Sequence, residues 1–141
     1  MDTISAEERS RLMARVGGKN TAPEREVRRA LHALGYRYRL HDRALPGKPD
    51  IVFGARRKVI MVHGCFWHRH SDCPFARIPK SRVKFWTEKL EGNRRRDQHV
   101  VERLQSLGWA VLVIWECEIR DRAHLNARLR AFLGPTRASV P

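Results

Sequence analysis

Seven consecutive residues, Trp109-Ala110-Val111-Leu112-Val113-Ile114-Trp115, carry no charge, and three of them are β-branched. So short an apolar run, rich in β-branched and aromatic side chains, reads as a strand buried on both faces. Such a strand has to be covered from two sides, so the rest of the chain must provide two layers of helix. This is the signature of a three-layer α/β domain around a mixed central sheet.

The covering helices announce themselves by their ends. Thr21-Ala22-Pro23-Glu24 is a helix start, with Thr21 as N-cap and Pro23 in the first turn. Val27, Leu31 and Leu34 then recur at helical spacing until Gly35, a C-terminal stop, while Arg25, Arg28 and Arg29 take the other face. Ser5-Ala6-Glu7-Glu8 has the form of a capping box and predicts an earlier helix, Ala6 to about Val16, stopped by Gly17-Gly18. Its apolar residues are few, which suits an arm better than a core element. A long polar-amphipathic stretch, roughly Ser81 to Leu107, is expected to break or bend near Gly92-Asn93, and a last helix runs from about Arg122 to Leu133. Between these lie strand signals. Tyr36, Tyr38 and Leu40 alternate with arginines; Asp50-Ile51-Val52-Phe53 and Lys58 to His63 form two further strands around a turn at Gly54-Ala55.

At 141 residues the chain has room for one domain, read here as 1–141, with residues 1–20 as an arm and 134–141 as a frayed tail. Lys and Arg number 29 against 15 Asp and Glu, a formal net charge of +14. A domain so basic calls for a polyanionic partner, and nucleic acid is the usual one. Charge alone does not make it an enzyme. No apolar run approaches the roughly 20 residues that span a bilayer, and the polar start (Met1 to Ser10) is no signal peptide. A cytoplasmic location at the nucleoid, with reduced thiols, is expected.

Three groups of residues carry chemistry. Asp50 follows the turn Pro46-Gly47-Lys48-Pro49 and opens a strand, and His63 ends the next one. In an antiparallel hairpin Asp50 meets Val62 and His63, where a carboxylate and a main-chain carbonyl offer the hard oxygens that Mg²⁺ prefers. Taken alone, Asp50 also reads as a turn or cap residue. Glu24 is grouped with this pair. The second group is Cys65, His70 and Cys73, spaced C-x₄-H-x₂-C, with Cys117 directly after the buried strand. Tetrahedral Zn²⁺ suits these four, although His68 could replace His70, and the three Cys could be separate buried thiols. Third, Phe66, Trp67 and Trp86 look exposed in a basic surface, where they could wedge between base steps or instead pack on the sheet. Finally, Asp97, after Arg94-Arg95-Arg96, could orient His68 as an acid/base imidazole.

The runs Leu45-Pro46-Gly47-Lys48-Pro49-Asp50, Val59 to His68 (ending His63-Gly64-Cys65-Phe66-Trp67-His68), Leu107-Gly108-Trp109 and Trp115-Glu116-Cys117 strongly resemble the very-short-patch repair (Vsr) mismatch endonucleases. The likeness extends from about Ser10 to about Leu133. It implies a restriction-endonuclease-like core related to the PD-(D/E)xK nucleases, with the acid-x-lysine half altered. It also implies that Asp50 is the central Mg²⁺ ligand, joined by the Val62 main-chain carbonyl; Val stands here where some members have Thr. His63 and His68 become the active-site imidazoles, Asp97 the partner of His68, and Glu24 a further active-site acid. Cys65, His70, Cys73 and Cys117 become structural zinc ligands. Phe66, Trp67 and Trp86 match aromatics that enter the duplex, and the N-terminal segment resembles an arm that grips DNA.

Similar proteins nick 5′ of the mispaired T in a T·G pair left by deamination of 5-methylcytosine, and the family is linked to a mismatch-repair matchmaker protein. A monomer acting on double-stranded DNA, with no membrane partner, is expected. Two other readings stay in view: a restriction-type endonuclease of matched or modified DNA, and a non-catalytic module that binds distorted DNA.

Overall fold

The computed structural model describes residues 21–68, 70, 73 and 77–136. The expected helix over Ala6–Val16, the arm over residues 1–20 and the end of the expected tail (137–141) lie outside the described residues. Among these the chain runs α1 (Ala22–Leu34), β1 (Arg39–Leu40), β2 (Ile51–Phe53), β3 (Lys58–His63), α2 (Val83–Ser106), β4 (Ala110–Trp115), a 3₁₀ turn (Glu116–Glu118) and α3 (Arg122–Leu133).

The four strands form one mixed sheet in the order β1-β2-β3-β4. β2 and β3 are an antiparallel hairpin with Ile51 opposite Ile60 and Val52 opposite Val59. β3 and β4 are parallel, with Val62 beside Ile114 and His63 beside Trp115. Parallel neighbours require a crossover, and α2 provides it. Because strand side chains alternate between faces, the hairpin sorts its residues into two cores. Ile51, Phe53, Ile60 and Ile114 face α1 and α3, meeting Val27, Leu31, Leu125 and Leu129. Val52, Val59 and Met61 face the other way, toward Leu104 of α2. Each such aliphatic side chain contributes about 1.5–3 kcal/mol on burial.

Both α1 ends follow the sequence signals. Thr21 Oγ1 accepts the Glu24 N–H at 3.4 Å, and Gly35 caps the C-terminus at φ 95°, in the left-handed region that glycine enters freely.

Four expectations need correction. The alternating segment Tyr36–Leu40 pairs only at Arg39–Leu40, opposite Val52 and Ile51. Tyr36 is instead drawn into the core beside Phe53, with its hydroxyl donating to the Gly134 carbonyl, and Tyr38 donates to the Arg28 carbonyl at 3.3 Å. The long helix does not break at Gly92-Asn93 but is continuous from Val83 to Ser106. A helix glycine costs about 1 kcal/mol relative to alanine. Burial of Leu90 and Leu104 on either side, and an Asn93 bond to the Trp67 carbonyl at 3.0 Å, outweigh that. The strand β4 is not buried on both faces along its length: it begins at Ala110 and only Ile114 is fully buried. It lies at the sheet edge, so its outer residues lack a second neighbour. Lastly, Trp86 is not exposed; at 5% accessibility it is the floor of an aromatic cluster. Among the described residues, no helix is long and apolar enough to cross a membrane.

Candidate active site

The β2–β3 hairpin and α1 converge on a cavity of about 630 Å³ whose wall includes Glu24, Asp50, Val62, His63, His68 and Asp97. Its placement follows from local folding. Ile51 sits opposite Ile60, so Asp50, one residue earlier, lies beside the end of β3 and its Oδ2 accepts the Val62 N–H at 2.7 Å. The turn before it is pressed against α2, since a Cβ on Gly47 (φ +72°) would lie 2.3 Å from Val100 Cγ1. Glu24 is turned inward by the α1 cap and is only 2% exposed. It is held by Arg28 Nη1 at 3.0 Å and by His41 Nε2 at 3.0 and 3.1 Å.

One half of the cavity is acidic. Ligand atoms of Glu24, His41 and Asp50 all lie within 4.8 Å of one another, a spacing able to hold a cation. Burial pushes the Asp50 carboxyl up to about 6, opposed by the Val62 N–H and reinforced by the nearby Glu24 charge. The other half is aromatic and basic. His63 and His68 stack with ring centroids 3.9 Å apart and planes 6° from parallel. Asp97, from α2, accepts from His68 Nδ1. His63 is 6% exposed and its Nδ1 is buried with no hydrogen-bond partner among the described residues. Burial, with the charge of His68 adding to it and Asp97 opposing, pulls His63 down to about 4. A carboxylate that resists ionisation and an imidazole that resists protonation thus share one wall.

A second cluster lies behind the first. Cys65, His70, Cys73 and Cys117 bring four ligand atoms within 4.8 Å of one another, with Cys117 Sγ 3.5 Å from His70 Nδ1. Burial pushes the Cys65 thiol up to about 12 and raises that of Cys117. The segment after β3 reaches this position by coiling, since His68 N–H donates to the Gly64 carbonyl and His70 N–H to the Cys65 carbonyl. Trp115 joins the two clusters, stacked on His70 at 4.1 Å and edge-on to His63 at 5.2 Å.

Phe66, Trp67 and Trp86 also come together, with ring centroids 5.2–6.2 Å apart. Phe66 and Trp67 are half-buried, and the exposed ring of the group is Phe85, 38% accessible and 5.1 Å from Trp86. Lys89 Nζ lies 5.9 Å from the Trp67 and Phe85 rings.

All the residues singled out from sequence are therefore gathered, in three adjoining groups. His41, Trp115 and Phe85 were missed. His41 stands in an unremarkable loop and is turned inward by a φ of 49° that no local pattern signals. Trp115 reads as core in sequence, and only its position directly before Glu116-Cys117 could have linked it to the cysteines. Phe85 sits beside Trp86 in sequence, and which of the two faces outward depends on how Phe66 and Trp67 fold back.

The family model described as DNA mismatch endonuclease Vsr matches residues 1–74. A type II nicking enzyme of Xanthomonas oryzae pv. oryzae, V.XorIIP, is 52% identical over 135 residues, 96% of this chain and 98% of its own. The type II nicking enzyme V.NmeAIP of Neisseria meningitidis is 39% identical, covering 99% of both chains. The DNA mismatch endonuclease Vsr of Escherichia coli K12 is 43% identical over 84% of this chain and 75% of its own.

Proposed function

The chain belongs to the Vsr DNA mismatch endonuclease family and is a DNA endonuclease, and on that premise we propose that it nicks one strand 5′ of the mispaired T in a T·G mismatch, using Mg²⁺ for catalysis and Zn²⁺ for structure. The observation that carries this reading is the convergence of Asp50 and the end of β3 with the stacked His63–His68 pair in one cavity. A restriction-endonuclease-like, single-domain core is part of the same proposal, supported by the mixed sheet with helices on both faces. That several relatives are named nicking enzymes favours a single-strand cut over a double-strand one.

The donors fit the ions. Glu24 and Asp50 offer carboxylate oxygens, to which the carbonyl of Val62 in the same wall would add another, the hard oxygen donors Mg²⁺ takes, and three thiols with one imidazole suit tetrahedral Zn²⁺. Zinc would be held by Cys65, His70, Cys73 and Cys117, tying the coil after β3 to the end of β4. When bound, Mg²⁺ supplies charge neutralisation at the scissile phosphate and a more acidic attacking water.

The chain's own groups do the rest. Asp97 accepts the Nδ1 proton of His68, which leaves Nε2 to take or give a proton. His63 is held neutral near pH 7 by its burial, so it offers a hydrogen bond without a charge that would compete with a cation. Phe66 and Trp67, standing on Trp86, form the aromatic face that enters the duplex. A wobble pair is weakly stacked, so unstacking there costs less than at a matched step. The surplus of positive charge supplies affinity for phosphates without sequence information.

The test is cleavage of a T·G duplex and its matched counterpart with Mg²⁺, by the wild type and by Asp50→Ala. Strand-specific nicking of the mismatch alone, lost in the variant, is expected. Equal cutting of both duplexes would instead indicate a restriction-type enzyme, and tight binding without a nick a distortion-binding module. A panel of other mispairs and flanking sequences then defines the range.

A further inference from the structure

His41 is used by no step above, yet it is hydrogen-bonded to the Glu24 carboxylate and to the main chain of Asp50, the two acids of the cation-spaced cluster. Its ring Nε2 lies 3.0 Å from Glu24 Oε1 and 3.1 Å from Oε2, and its main-chain N–H donates to the Asp50 carbonyl at 3.1 Å. The residue leaves β1 at φ 49°, in the left-handed region that residues other than glycine enter only at a cost. That turn carries the ring back toward α1, where it is only 14% exposed. Arg28 reaches Glu24 from the next turn of α1, and His41 reaches it from the sheet. Glu24 is buried and Asp50 half-buried, and two facing carboxylates repel each other when both are ionised. Whatever clamps Glu24 therefore decides how it faces Asp50.

We propose that His41 is a positioning residue: by bridging both oxygens of Glu24 while its backbone holds Asp50, it fixes the facing of the two acids and so sets the affinity of the cavity for its divalent cation. This rests on the reading of Asp50 as a cation ligand. Bonded to Glu24, the ring acts as a donor, because a carboxylate only accepts; Nε2 then carries the proton, and of the Glu24–His41–Asp50 cluster the two carboxylates are left to face a cation.

The experiment uses the full chain with His41→Ala and His41→Gln. Mn²⁺ binding is followed by electron paramagnetic resonance without DNA, and Mg²⁺ is titrated in T·G nicking with kcat and the KM for DNA separated. His41→Ala is expected to weaken Mn²⁺ binding and raise the half-saturating Mg²⁺ by about tenfold or more, the usual effect of losing a residue that orients a ligand. The KM for DNA stays within about twofold, and His41→Gln, whose amide can still donate to Glu24, recovers binding to within about threefold of wild type. Wild-type metal affinity in His41→Ala overturns the proposal. So does a glutamine variant as weak as the alanine one whose preference moves from Mn²⁺ toward Mg²⁺, since that identifies the ring nitrogen as a ligand. A wild type that binds Mn²⁺ through Asp50 but nicks no T·G duplex removes the substrate reading and leaves His41 judged by the resonance titration. A wild type that binds no Mn²⁺ overturns both.

Discussion

Asp50→Asn should make the protein inactive and, without Mg²⁺, more stable. Burial is the main force holding the Asp50 carboxyl at about 6 in place of its ordinary 3.8, so ionising it is harder in the folded state than in the unfolded one. A group whose folded value is raised lends stability that is complete below 3.8 and lost as pH rises through about 6. The difference corresponds to about 3 kcal/mol at pH 7.5, falling to about 1.6 at pH 5 and about 0.6 at pH 4. Asparagine has no charge to bury, and its carbonyl can still accept the Val62 N–H that now meets Oδ2 at 2.7 Å.

The assay is thermal unfolding of both proteins with the Cys–His cluster loaded and Mg²⁺ withheld. The variant should melt about 5–10 °C higher at pH 7.5, with the gap closing toward pH 4. Adding Mg²⁺ at about 100 times its Kd should return about 2.7 kcal/mol to the wild type and nothing to the variant. Nicking by the variant should fall by about 10³-fold or more. If Asp50 were only a turn or cap residue, its charged bond to Val62 would be a net gain. Asparagine would then lower the melting temperature at neutral pH, and that result would refute the reasoning.

Further outcomes follow from the neighbouring groups. Metal analysis should find about one zinc per chain; Cys117→Ser should lose it and lower stability, because structural zinc contributes directly to folding. Asp97→Asn should leave the fold intact but reduce the rate of nicking by about 10²–10⁴-fold with little change in the KM for DNA, since the amide loses the carboxylate charge and its NH₂ can hold His68 in the wrong tautomer. Gly47→Ala places a Cβ 2.3 Å from Val100 Cγ1 and should destabilise by about 1–3 kcal/mol in urea unfolding. Adding Val100→Ala should recover the steric part but not the strain of φ +72°.

How far the fold was legible depends on how local each signal is. Thr21, Gly35 and Gly134 mark helix ends through their own side chains or their lack of one: α1 starts and stops at the first two, and α3 stops at the third. The hairpin was equally open to reading: two apolar runs around a tight turn fix a register, and the register sets Asp50 beside Val62. The errors came where the answer lay elsewhere in the chain. Whether β4 is buried on both faces depends on its place in the strand order, which its own residues do not encode. Whether Gly92 breaks α2 depends on what Leu90, Asn93 and Leu104 touch. Trp86 and Phe85 exchange roles because the coil carrying Phe66 and Trp67 folds onto the first turn of α2.

The site itself concentrates unfavourable burials that most of the molecule avoids. Asp50 is hard to ionise, His63 is hard to protonate, the His63 Nδ1 atom has no partner among the described residues, and the Cys65 thiol is pushed up to about 12. Each arises mainly from the removal of water, and none is a strong gain for folding. The two opposing shifts have a joint consequence. Between about 4 and about 6 both Asp50 and His63 are neutral, so the empty cavity presents little charge from either. Above about 6 the carboxylate ionises while the imidazole stays neutral, and the wall gains a negative charge beside a ring that does not cancel it. If Asp50 is the cation ligand proposed above, affinity for Mn²⁺ or Mg²⁺ is expected to rise with pH through about 6. An arrangement selected for stability would have placed an apolar pair there; on the proposed reading, burial instead gives a carboxylate that gains its charge while the imidazole beside it stays neutral.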